Sequence, residues 1–182
     1  MKSIAGRFTP MVALLGLCGL LFVAKTTEAQ QKKVGLYAGY TFLRAEDGNL
    51  SGLRLSPEYR VHRLASVVGD LSAEKGTFSS TDTRLLSGLG GLRLKFGAGP
   101  TRLFVHALAG PVRVSSSARS AGGVSFSAAA TGLGLDGGGG VEFGGGRSFR
   151  IRLGADYLRR RVRAPGVVLI ANDVRATVGF VF

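Results

Sequence analysis

Few residues of this chain are equipped for covalent or metal chemistry. His62 and His106 are its only imidazoles and Cys18 its only thiol. A serine two residues beyond a histidine would share its strand face and offer a nucleophile, but His106 is followed by Ala107 and Leu108. His62 falls in a short predicted turn and reads as a solvated side chain. Ser115, Ser116 and Ser117 have neither a histidine nor an acid beside them in sequence and read as polar loop. One cysteine allows no internal disulfide and no cysteine metal site. The run Gly137 to Gly140 suggests a phosphate loop, yet no Lys-Ser/Thr pair and no helix follow it. A glycine-lined strand beside a turn is the better reading. No catalytic, cofactor-binding or metal-ligating residue is expected.

The chemistry that remains is ionic. Asp70, Arg93, Lys95, Asp136, Glu142, Arg150, Arg152, Asp156 and Arg175 stand opposite apolar faces in alternating segments. They carry both signs, as an internal ion-pair network requires, because buried charges are tolerated only when paired and hydrogen-bonded. Arg152 and Asp156, four apart, share one strand face. A second group, Arg159, Arg160, Arg161 and Arg163, clusters where a polar connection is expected to begin.

The elements that must position these charges are strands. The chain has 182 residues, room for one domain. Its 29 glycines disfavour helices, which each interior glycine weakens by roughly 1 kcal/mol. Hydrophobic residues make up 45%, enough to drive burial and to disfavour disorder. The formal charge of +13 is spread along the chain rather than gathered in a tail, and no nucleic-acid partner is expected. Lys2 and Arg7 precede an uncharged run over 11–24, and Thr27-Glu28-Ala29 sets small residues where a signal peptidase reads. Residues 1–29 are therefore expected to be a cleaved secretory signal peptide. The apolar run falls short of the ~20 residues that a membrane-crossing helix needs. Leu17, before Cys18, does not suit a lipoprotein signal. Residues 30–182 form the expected mature domain.

Period-two alternation recurs eight times in that domain, over 33–44, 52–59, 64–72, 84–96, 102–114, 127–143, 149–159 and 172–182. The segment 102–114 is apolar on both faces and leaves its orientation open. Connections over 60–63, 97–101 and 144–147 are short; those over 45–51, 73–83, 115–126 and 160–171 are longer and polar. An even number of ~10-residue alternating strands, with short turns at one end and long loops at the other, describes an antiparallel up-and-down transmembrane β-barrel. Closure satisfies every backbone hydrogen bond, which hydrocarbon demands. Apolar residues then face lipid and charges face the bore. Eight strands make a narrow bore that side chains fill, so a static plug of salt bridges is favoured over a gated ion path. The glycines on the inner face leave room for arginine.

The last residues, NDVRATVGFVF, and the segment FRIRLGADYLRRRV resemble the final two strands of OmpA-like and opacity-type outer-membrane barrels. LFVHALAGPVRV and ATGLGLDGGGGVEF resemble middle strands of the same family. The resemblance implies a bacterial outer-membrane location, periplasmic termini and surface-exposed long loops. It implies that Val178, Phe180 and Phe182 belong to a C-terminal signal read by the barrel-assembly machinery. Outer-membrane lipid is the implied environment, and a monomer the expected state. Arg159, Arg160, Arg161 and Arg163 would then lie at the cell surface, where guanidinium groups match the phosphates of lipopolysaccharide; a generic solvated rim is the plainer alternative. The expected role is structural or surface-interacting and non-enzymatic. A narrow, porin-like channel for ions or small solutes, or a lipid-modifying enzyme, are the alternatives.

Overall fold

The alternation becomes eight strands: β1 (Val34–Ala45), β2 (Gly48–Arg60), β3 (Ala65–Phe78), β4 (Thr81–Phe96), β5 (Thr101–Arg119), β6 (Ser125–Phe143), β7 (Arg150–Ala164) and β8 (Val167–Val181). In this computed structural model the described residues are 33–45, 48–78, 81–97, 99–119, 125–144, 149–164 and 167–182. The expected signal peptide lies outside them. The strands pair in sequence order and close as one barrel. The antiparallel β1–β8 seam runs from Tyr37↔Val181 to Arg44↔Val174, and reciprocal bonds between Leu36 and Phe182 extend it. Val178 and Phe180 thus sit in the closing seam. Pro57 has no N–H to donate, and the β2–β3 partners run to Leu55↔Leu71 and resume at Glu58↔Val68.

In their described residues, all four polar stretches expected as long loops are strand. Lys75↔Arg84 and Thr77↔Asp82 continue the β3–β4 ladder, and Thr77 Oγ1 donates to Asp82 Oδ1 at 2.7 Å. Ser115↔Ala129 and Ser117↔Ser127 continue β5–β6, and Arg161↔Ile170 and Arg163↔Val168 continue β7–β8. Backbone pairing does not depend on side-chain polarity, so serine, threonine and arginine did not end the strands. β5 and β6 reach 19 residues each, well beyond the ~9–11 that cross a bilayer. The extra length lies at the end opposite the chain termini, the distal end.

The pleat sorts the side chains as a membrane barrel requires. Ile151, Val178 and Phe180 are 42%, 47% and 48% exposed on the outer wall, whereas Arg152 and Asp156 are only 2% and 3% exposed inside. In β5, Leu103 and Val105 face outward while Phe104, His106, Leu108 and Val112 are buried, which settles the strand that sequence left open. The interior is not polar throughout, contrary to the simple inversion expected. Leu43, Leu50, Val68, Leu85, Leu89, Leu108, Val112, Leu158 and Val162 form a buried apolar cluster. Most of them lie in the distal half of their strands.

Candidate functional site

Below the apolar cluster, toward the terminal end, the bore is filled by ion pairs. Glu58 on β2 accepts from Arg93 at 3.1 Å, Lys95 at 2.8 Å and Arg152 at 3.3 Å. Glu142 on β6 accepts from Arg152 at 2.5 Å and Lys95 at 3.2 Å. One level further in, Arg54 bridges Asp70 at 2.6 Å and Asp156. Arg175 bridges Glu74 and Asp136, each at 3.1 Å. Two guanidinium groups lie over the Phe104 ring, Arg93 5.2 Å and Arg152 5.0 Å from its centre. Cation–π attraction gains strength in such a desolvated position. Two approaches make room for this packing. A side chain at Gly138 would meet Asp156, and one at Gly134 would meet Val112 within the apolar cluster.

Of the nine charges expected in the bore, Asp70, Arg93, Lys95, Asp136, Glu142, Arg152, Asp156 and Arg175 meet in this network. Arg150 points inward at the mouth, without an ion-pair partner among the described residues. Four members were missing from the expectation: Arg54, Glu58, Glu74 and His106. Arg54 shares the inward face of β2 with Glu58, and period two placed it there. Glu74 lay in a stretch read as loop.

Arg160 requires a correction. It does not belong to a surface rim: it is buried, and its Nε and Nη2 bind Asp173 at 2.5 and 2.8 Å. Because β7 continues to Ala164, the pleat sends Arg160 inward and Arg159, Arg161 and Arg163 outward. Those three share the distal outer wall with Lys75, Arg84 and Arg113.

His106 Nε2 faces Asp136 at 3.0 Å and Asp156 at 3.2 Å. Among the described residues, these three could hold a metal ion, their ligand atoms lying within 4.8 Å of one another. Arg175 and Arg54 already bind the two carboxylates, and their positive charges stand against a cation. The arrangement is better explained as a third bridge of the network. His62 lies exposed in the β2–β3 turn, where its Nδ1 accepts from Leu64 N at 3.4 Å.

The closed ring of eight antiparallel strands, apolar outside and ion-paired within, defines a small up-and-down β-barrel with the architecture of transmembrane barrels. Solved structures share this fold. Neisserial surface protein A matches with a TM-score of 0.62 and 20% identity, over 81% of this chain and 94% of that one. Ail, the attachment invasion locus protein of Yersinia pestis, matches at 0.60 and 19%, over 82% and 97%. The N-terminal barrel domain of Pseudomonas aeruginosa OprF matches at 0.52 and 15%, over 84% and 100%. No protein-family model matches the chain, and no curated protein matches it in sequence.

Proposed function

We propose that the chain is a non-enzymatic protein of the bacterial outer membrane whose bore is a static plug and whose activity lies on its outer surface, in contact with polyanionic lipopolysaccharide. The observation that carries this reading is the outward basic band at the distal end, formed by Lys75, Arg84, Arg113, Arg159, Arg161 and Arg163. Lys75 and Arg84 stand directly opposite one another in the ladder. Like charges in that position repel, and an anion between them relieves the repulsion. With the termini in the periplasm, this band meets the phosphate level of the outer leaflet. Ail, of the same fold, has been solved with the heparin analogue sucrose octasulfate, a polyanion held by a barrel of this size.

The bore favours a plug over a channel because its charges are bridged between strands on opposite walls, as in Arg54 to Asp156 and Arg152 to Glu58. Any solute must first break these desolvated pairs. The same burial argues against lipid chemistry, since His106 faces the bore rather than the acyl chains. Insertion by the barrel-assembly machinery, with Val178, Phe180 and Phe182 as its signal, and a monomeric state complete the proposal. Replacing the six basic residues with glutamine is expected to strip co-purifying lipopolysaccharide while the barrel stays folded; unchanged retention would reject the surface role. Refolded protein is expected to give no conductance steps in a planar bilayer, and regular steps would favour the channel.

A further inference from the structure

Three inward arginines at the terminal end do not join the ion-pair network. Arg60 ends β2, Arg102 is the second residue of β5 and Arg150 begins β7, which brings all three to the same mouth of the barrel. Each continues the inward face of its strand: Arg60 follows Arg54 and Glu58, Arg102 precedes Phe104, and Arg150 precedes Arg152. Arg102 stands directly opposite Glu142 in the β5–β6 ladder, and its guanidinium also feels the charges of Arg150 and Arg60. Glu142 already accepts from Arg152 and Lys95. Among the described residues, none of the three arginines makes a salt bridge. Arg102 Nε and Arg150 Nη1 are buried without any hydrogen-bond partner.

Three guanidinium groups held at one mouth, none with an ion-pair partner of its own among the described residues, repel one another. Buried donors without acceptors add the cost of desolvation. Both costs vanish if a multivalent oxyanion sits between the three side chains, because guanidinium donors match phosphate-type oxygens in pairs. We propose that Arg60, Arg102 and Arg150 form an oxyanion site at the terminal mouth of the bore, which takes a phosphate-type group. That group can arrive as a free anion or as the headgroup of a neighbouring lipid. The site is separate from the basic band on the distal outer wall, and neither reading depends on the other.

The test uses protein extracted from outer membranes. In a maltoside micelle, inorganic phosphate is titrated and followed by its ³¹P linewidth and by the melting temperature of the barrel. In phosphate-free nanodiscs, phosphatidic acid is introduced at rising mole fraction with the same melting readout. The wild type is expected to respond saturably in at least one arm. A response in micelles alone identifies a free anion, and one in nanodiscs alone a lipid headgroup. The Arg102→Gln/Arg150→Gln variant is expected to bind at least tenfold more weakly, and His62→Gln, at an exposed position of the β2–β3 turn, to match the wild type. If the glutamine variant does not fold, Arg102→Lys/Arg150→Lys keeps the charge but loses the paired donors and is expected to bind several-fold more weakly. No response of the wild type in either arm, or equal responses of wild type and mouth variants, overturns the site.

Discussion

The two halves of the bore solve the same filling problem with opposite chemistry. Toward the distal end Leu43, Leu85, Leu158 and Val162 pack as an ordinary apolar core. Toward the termini Arg54, Arg152 and Arg175 are bound by carboxylates across the bore, Asp156, Glu58 and Glu74, as well as by carboxylates of nearer strands. An apolar core tolerates replacement by side chains of similar volume. A buried ion pair does not tolerate loss of one partner, since the other is left charged and unpaired. The ionic half therefore fixes which strand faces which across the bore, and the apolar half fills volume.

Breaking the ionic half should cost most. Arg175 is fully buried and serves both Asp136 and Glu74, so Arg175→Met should destabilise the barrel by about 3–5 kcal/mol, read from urea unfolding in lipid vesicles. Leu158→Ala, in the apolar half, should leave a cavity and cost about 3 kcal/mol in the same assay. The buried Arg160–Asp173 pair sits among the apolar residues Leu158 and Val162 and sharpens the contrast. Replacing both partners with leucine should be neutral or stabilising by about 1–2 kcal/mol, whereas Arg160→Leu alone should destabilise. Outside the bore, Arg161→Gln should shift stability by no more than about 0.5 kcal/mol, while lipopolysaccharide retention falls.

Strand number, order and facing were legible because lipid imposes apolar residues at every second position, as in Val174, Ala176, Val178 and Phe180. The distal extensions were not legible, because outside hydrocarbon nothing forces one face to be apolar. Over 159–163 arginine occupies both faces, so the pleat that separates Arg160 from Arg159 and Arg161 leaves no trace in residue type. The apolar cluster was hidden for the converse reason: Leu108 and Val112 on the inner face of β5 look like lipid-facing residues. Most of the network could be named from charges opposite apolar faces. Its cross-bore partners could not, since Arg54 and Asp156 lie 102 positions apart and meet only when the barrel closes.

The central claim is that the apolar face of each strand meets lipid while the charged face lies in a dry, ion-paired bore. Nitroxide labels placed one at a time from Val174 to Phe180, in protein reconstituted in bilayers, test it most directly. Labels at 174, 176, 178 and 180 should be accessible to oxygen and shielded from a water-soluble nickel chelate, and labels at 175, 177 and 179 shielded from both. Nickel accessibility at 174, 176, 178 and 180 would place these side chains in water and contradict the account.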